Sequence, residues 1–235
     1  MLKNPFSGLT KHEWLLWSIS LIIVTLSNLL TSSLEPVTFA ATVIGVTSLI
    51  FVARGDVWGQ ILGVIFSILY AINSYKFRYF GEMITYLGMT MPIAVISIIT
   101  WLRNPFEKGR NEVKIHRLSR RELLLMMILA ISVTVMFYFI LKMLGTANLL
   151  VSTISITTSF LASYLMMYRN SYYAVAYAAN DIVLIILWIS ASLKNPSYSP
   201  MIVCFLMFLV NDLYGFVSWK RREKKQSMKI FDEVL

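Results

Sequence analysis

The sequence predicts an all-α membrane protein with eight transmembrane helices, on three observations. Of its 235 residues, 57% are hydrophobic and only 14% charged, with a mean hydropathy of +0.69; a water-soluble domain carries about 25% charged residues. Eight apolar segments come close to the ~20 residues needed to cross a hydrocarbon core. The basic residues fall preferentially on one side of those segments.

In chain order the segments are 13–31, 36–53, 57–75, 82–101, 122–143, 148–168, 172–193 and 199–219. None shows the period-2 alternation of a barrel strand, so each reads as a helix. The first is longer than a signal-peptide core and no A-x-A-like site follows it, so it reads as a retained span. Segments 36–53 and 148–168 are dotted with Ser and Thr. Segment 82–101 contains Pro92, which can kink a helix and free a carbonyl. Segment 172–193 carries Asn180 and Asp181 in mid-span, and 199–219 carries Asn211 and Asp212 before a basic tail, 220–235.

With both termini on the cytoplasmic side, seventeen of the 21 Lys and Arg residues fall inside, and only Lys76, Arg78, Lys142 and Lys194 fall outside. That bias is the positive-inside pattern of eight spans in a plasma membrane. A seven-span alternative would put one basic cluster outside. The net charge of +9 therefore calls for no nucleic acid. The loop "RNPFEKGRNEVKIHRLSRRE" and the tail "WKRREKKQSMK" read as topology signals lying against anionic membrane lipids, with a regulatory partner on that face as the alternative. His12 and His116 lack Cys or His neighbours, and Cys204 has no partner cysteine, so neither a metal nor a disulfide is expected. No G-x-x-x-x-G-K-[ST] motif is present, and no cofactor is expected.

The segments repeat. "RGDVWGQILGVIFSILYAINSYKF" from Arg54 and "RNSYYAVAYAANDIVLIILWISAS" from Arg169 both open with Arg, place an aromatic four residues on (Trp58, Tyr173), and lead to Trp-x-Arg at Trp101/Arg103 and Trp219/Arg221. Two three-helix units follow, 36–101 and 148–219, joined by linker helix 122–143, with helix 13–31 as an extra N-terminal element. A three-helix unit ends opposite to where it began, so the linker span makes the two repeats parallel. Parallel repeats with a midplane site between them are a transporter architecture. Arg and Trp at span ends are also ordinary interfacial anchors.

This 3+1+3 layout resembles the SWEET-like fold. The stretches "YKFRYFGEMITYLG", "AANDIVLIILW" and "LVNDLYGFVSWKRR" resemble those of PnuC-type nicotinamide riboside transporters, over nearly the whole chain from Phe39. The resemblance implies a bacterial plasma-membrane facilitator, assembled as a homotrimer, for uptake of an NAD precursor that is trapped by phosphorylation. It also implies relatives that carry thiamine or riboflavin.

The polar residues are where function must reside, because an intramembrane charge costs about 2.5–3.5 kcal/mol even on insertion scales. Tyr173, Tyr177, Asp181 and Trp188 share one helical face, with Asn180 beside it. Phe208, Asn211 or Asp212, Gly215 and Trp219 share another, with Tyr214 adjacent. Segment 57–75 offers Gly59, Gly63, Phe66, Tyr70 and Asn73, flanked by Gln60, Ser67 and Ser74; segment 82–101 offers Glu82, Tyr86 and Met89. The expected site is a midplane pocket made by Asp181, Asn180, Trp188, Tyr177, Tyr70, Asn73, Gln60, Phe66, Tyr86, Asn211 and Tyr214. Aromatic rings there would sandwich a flat heterocycle, and Asp181 would be the counter-ion of a pyridinium.

Each residue has a plainer reading. Trp14, Trp17, Trp58, Tyr79 and Trp101 fit an interfacial belt. Asn73 and Asn211 fit interhelical hydrogen bonds, and Asp212 fits an ion pair with Arg54 or Arg169. Thiamine, also cationic and aromatic, remains open as substrate, as does proton-coupled symport through Asp181. An enzyme reading lacks a catalytic set, since both histidines lie outside the spans.

Overall fold

The computed structural model describes residues 4–30, 35–76, 79–107, 111–146, 148–196 and 199–232. Lys3, Arg78, Lys108 and Arg110, counted above among the orienting charges, lie outside the described residues, as does the end of the 220–235 tail.

Among the described residues, eight helices are long and apolar enough to cross a membrane. They are α1 (Lys11–Leu29), α2 (Pro36–Ala53), α3 (Val57–Lys76), α4 (Phe80–Arg103), α5 (Arg120–Met143), α6 (Leu149–Met167), α7 (Tyr173–Ser192) and α8 (Ser199–Asp232). The two helices entered from basic segments start on capping boxes. Thr10 and Glu13 exchange backbone and side-chain bonds at α1, and Ser119 and Glu122 do the same at α5. Each box satisfies two of the orphan N–H groups at a helix start.

Two elements differ from expectation. The kink expected at Pro92 takes the form of a π-helical turn, Tyr86–Thr90, just upstream of it. Met91 N–H reaches back to Tyr86 O, and the widened turn accommodates a proline that can neither donate nor sit close to the preceding turn. The second difference is α8, which does not stop at the membrane boundary near residue 219 but continues to Asp232. Its basic stretch is held by protein rather than only by lipid. Arg222 pairs with Glu112 at 2.8 Å, and Arg117 with Glu223 at 2.7 Å. Gln226 accepts from Ile115 N–H and donates to the Val113 carbonyl. The loop and tail expected to rest on headgroups thus fasten to each other.

In lipid, hiding apolar side chains brings no hydrophobic gain, so helices are held by close packing and interhelical hydrogen bonds of about 0.6 kcal/mol each on average. α2 packs along α3, α6 along α7 and α7 along α8, while α2 also meets α8 and α4 meets α6. The α2–α3 contact is close because Gly59 faces backbone: a Cβ there would stand 2.5 Å from Val52 N. Ser48 takes advantage of the approach, donating to Gly59 O at 2.8 Å. α1 and α5 lie at the periphery with little of their surface buried. α1 is tied on by Asn28 to Thr42, Trp17 to Thr47 and Ser20 to Asn211.

Matching contacts recur at the basic end of the bundle, where α2 stops and α8 leaves. The Trp219 indole donates to Val52 O at 2.8 Å, and the Trp101 indole donates to Met166 O at 3.2 Å. The two rings meet with centroids 5.6 Å apart. Both α2 and α6 end in a left-handed residue, Gly55 (φ 69) and Arg169 (φ 57), whose N–H returns to Val52 O and Met166 O respectively. Asp56 and Asn170 follow, each accepting from the backbone N–H two residues on. By conformation Arg169 therefore matches Gly55, one residue from the Arg54 partner expected on sequence. Trp101 and Tyr79 are buried, at 2% and 8% exposure, and so are not belt residues. Burial pushes the Asp56 carboxyl up, against the opposing pull of Trp58 N–H, Asn111 and Arg54.

Candidate functional site

The bundle core is divided. One apolar cluster, at the basic end, gathers Val52, Val57, Trp101, Tyr173 and Trp219. The other, toward the opposite end, gathers Phe66, Tyr70, Tyr86, Trp188, Phe205 and Phe208. Between them lies a cavity of about 90 Å³, room for roughly half a dozen waters. Its wall comes from six helices. α2 contributes Gly45, Ser48, Leu49 and Val52; α3 contributes Gln60, Gly63, Phe66 and Ser67. α4 adds Tyr86, Thr90 and Ala94, two of them from the π turn. Met166 comes from α6, Tyr177, Asn180 and Asp181 from α7, and Phe205, Phe208 and Asp212 from α8.

Polar groups concentrate on the α7–α8 side. Asp181 and Asp212 are 2% and 3% exposed, and their side chains are close neighbours in the cavity wall. Asp181 Oδ2 is buried without a hydrogen-bond partner among the described residues. Asn180 is fixed from α6, its Oδ1 accepting from Thr158 Oγ1 at 2.8 Å and lying 3.5 Å from Ser155 Oγ. That geometry leaves its amide nitrogen to be used elsewhere. Tyr177 OH meets Ser163 Oγ at 3.1 Å. Among the described residues, no Lys, Arg or His lies in the lining.

The eleven residues expected in one pocket separate into three groups. Gln60, Phe66, Tyr86, Tyr177, Asn180 and Asp181 line the cavity. Tyr70 and Trp188 do not; they form a buried aromatic plug beside it, the Trp188 indole donating to Tyr70 OH at 3.0 Å. Tyr79 packs on Trp188 with centroids 5.2 Å apart. Asn73 lies outside the lining as well, accepting from Thr38 at 3.3 Å. Asn211 and Tyr214 face α1, Asn211 through Ser20 and Tyr214 through Glu13 and Thr10. For Asn73 and Asn211 the interhelical reading describes the contacts seen.

Asp212 is the principal addition. Among the described residues it makes no ion pair with either arginine: Arg54 reaches Glu13 and Pro5 O, and Arg169 reaches Thr100 O. The signal was present in the three-then-four spacing of Phe205, Phe208 and Asp212, which puts them on one helical face. Glu82 is a further buried acid, 1% exposed. Neither of its oxygens has a hydrogen bond of good geometry among the described residues, and the Ser155 hydroxyl is among its polar neighbours.

Comparison with known proteins identifies the family and the fold. Residues 35–221 match the family described as nicotinamide mononucleotide transporter. The nicotinamide riboside transporter PnuC of Neisseria mucosa is 29% identical over 232 residues, covering 96% of this chain and 87% of the relative. The protein of the same name from Haemophilus influenzae is 22% identical over 182 residues, 77% of each chain. A solved structure, described as the crystal structure of the vitamin B3 transporter PnuC, superposes with a TM-score of 0.82 and 26% identity, over 93% of this chain and 94% of that one. With most of its length matched in sequence and nearly all of it in fold, the chain belongs to the nicotinamide mononucleotide transporter family.

Proposed function

We propose that this protein carries nicotinamide riboside into the bacterial cell by facilitated diffusion, through the cavity walled by α2, α3, α4, α6, α7 and α8. The family description speaks of the mononucleotide, whereas the curated relatives are named for the riboside. One observation favours the riboside: among the described residues the lining holds two carboxyl groups and no cationic side chain. A nucleotide phosphate would enter a buried site without a Lys or Arg to receive it. A pyridinium nucleoside instead meets carboxyl groups beside Tyr86, Tyr177, Phe66 and Phe208, which suit a flat cation, and Asn180 can donate to its amide or ribose oxygens. At about 90 Å³ the cavity is well below the ~300 Å³ of a small ligand site, so the described form is a contracted state that opens to load.

Two parallel units, 36–101 and 148–219, with α5 as the linker, are the architecture we infer. The paired bonds of Trp101 and Trp219, and the paired turns at Gly55 and Arg169, support it. Counting from those turns, Gly63, Phe66 and Ser67 correspond to Tyr177, Asn180 and Asp181, and all six line the cavity. Cytoplasmic termini follow from the distribution of Lys and Arg. Homotrimeric assembly rests on the resemblance and is tested by the mass of the detergent-solubilised complex.

Thermal unfolding in detergent with a panel of vitamins tests the substrate, since a ligand of the folded state raises apparent stability. Nicotinamide riboside should raise the transition temperature and its 5′-phosphate should not. A larger rise with thiamine or riboflavin would reassign the substrate.

A further inference from the structure

Two buried carboxyl groups in contact pose a problem of charge. Two carboxylates this close, both buried in one cavity wall, cannot both ionise without strong repulsion, so the pair keeps at least one proton. A second proton is favoured by what surrounds it. An intramembrane charge without a counter-ion is strongly disfavoured, and among the described residues no Lys, Arg or His lies in the cavity wall.

The other titratable groups facing the pair are Tyr173 and Tyr177 from α7, Tyr86 from α4 and Cys204 from α8. The residues that α2, α3 and α6 bring to the cavity include none. Tyrosine and cysteine are ordinarily neutral near pH 7, so none of these can balance the charge of an ionised acid pair. Asp181 and Asp212 both line the cavity, so an entering ligand meets the pair.

We propose that Asp181 and Asp212 are both protonated in the empty protein, and that a cationic ligand entering the cavity displaces one of the two protons to water. The remaining proton stays between the two side chains, and the singly charged pair becomes the counter-ion of the ligand. One positive charge replaces another, so the site is neutral both empty and loaded. This rests on the reading of the cavity as the pyridinium nucleoside site. It opposes symport, in which substrate and proton would bind together.

Titration calorimetry on the full-length protein in detergent, repeated in buffers of different ionisation enthalpy, counts the protons. At pH 7 nicotinamide riboside should release about one proton per ligand bound, with affinity rising about tenfold per pH unit between roughly pH 6 and 8. Its neutral 1,4-dihydropyridine analogue should bind with no release. The D181N/D212N double variant should release none with the riboside and lose the preference for the cation over the neutral analogue. Binding of that analogue to the variant establishes that it is folded. Riboside binding to the wild type with no proton released, or with proton uptake, overturns the exchange and leaves the substrate reading standing. Undiminished release from a variant that still binds the analogue also overturns it. No riboside binding to the wild type removes both.

Discussion

The indole N–H of Trp188 donates to the hydroxyl of Tyr70 across 3.0 Å, and neither side chain is exposed. Tyr86 lies 4.2 Å and Phe205 5.7 Å from the Tyr70 ring, centroid to centroid, and both also line the cavity. The pair thus closes the cavity on the side away from the basic end. Tyr70→Phe removes the acceptor and should lower unfolding stability by about 1–3 kcal/mol, read as a reduced transition temperature in detergent. Combined with Trp188→Phe, the loss should be smaller than the sum of the two single losses.

Gly59 and Gly63 lie one helical turn apart on α3 but should respond differently to alanine. At Gly59 a Cβ meets backbone, Val52 N at 2.5 Å and Ser48 O at 3.0 Å. α2 and α3 must then separate, for about 1–3 kcal/mol. At Gly63 the nearest atom is Ser48 Oγ at 3.6 Å, an ordinary contact. Gly63→Ala should unfold near the wild-type temperature yet bind substrate more weakly, because its methyl group enters the cavity. Equal stability losses in the two variants would contradict the packing described.

The left-handed turns give a third pair. Gly55 adopts φ 69 at no side-chain penalty, whereas Arg169 adopts φ 57 with one. Gly55→Ala should cost about 1–2 kcal/mol, with Val113 Cγ1 only 3.3 Å from the added methyl. Arg169→Gly should raise the transition temperature, since the strain it relieves outweighs a 3.4 Å bond to Thr100 O. A lowered temperature for Arg169→Gly would count against strain at that position.

Sequence was most informative where a single physical constraint acts. Span positions follow from the length of apolar runs, and α2 was located to the residue because Pro36 and Arg54 bound it. The transporter class followed from the parallel-repeat reading and the family resemblance, and the family is one of transporters. Misplacements arose where face and depth must be judged together. Helical periodicity puts Trp188 on the face of Asp181, but two turns of rise carry it into the plug. Asn211 and Asp212 are neighbours separated by about 100° of helix, so one faces α1 and the other the cavity. Pairing of Asp212 with an arginine was the natural expectation for a buried acid. That it meets another acid depends on how α7 packs on α8, a contact that local sequence does not encode. The helical tail was missed because charge runs read as solvated, while its partners lie in a loop more than a hundred residues earlier.

The tail supplies a fourth prediction. Gln226 is 4% exposed and bonds both Ile115 N–H and Val113 O. Gln226→Ala should leave those backbone groups without it, at about 1–3 kcal/mol, and loosen the loop locally. Limited trypsin digestion should then cut faster at Lys114 and Arg117 than in wild type, with the membrane-embedded part intact. Unchanged cleavage would mean that other contacts hold the loop.

α8 is continuous from Phe205 and Asp212 in the cavity wall to Gln226 in the loop contact. Those last two positions are roughly 20 Å apart along the axis. A helix of that length without a break acts as a lever, so a tilt that widens the cavity must swing the outer turns against Glu112 and Val113. Loading of the cavity is thereby legible from the aqueous phase. A fluorophore on the outer turns would report on it, and a binder that clamps tail to loop would inhibit transport without touching the cavity.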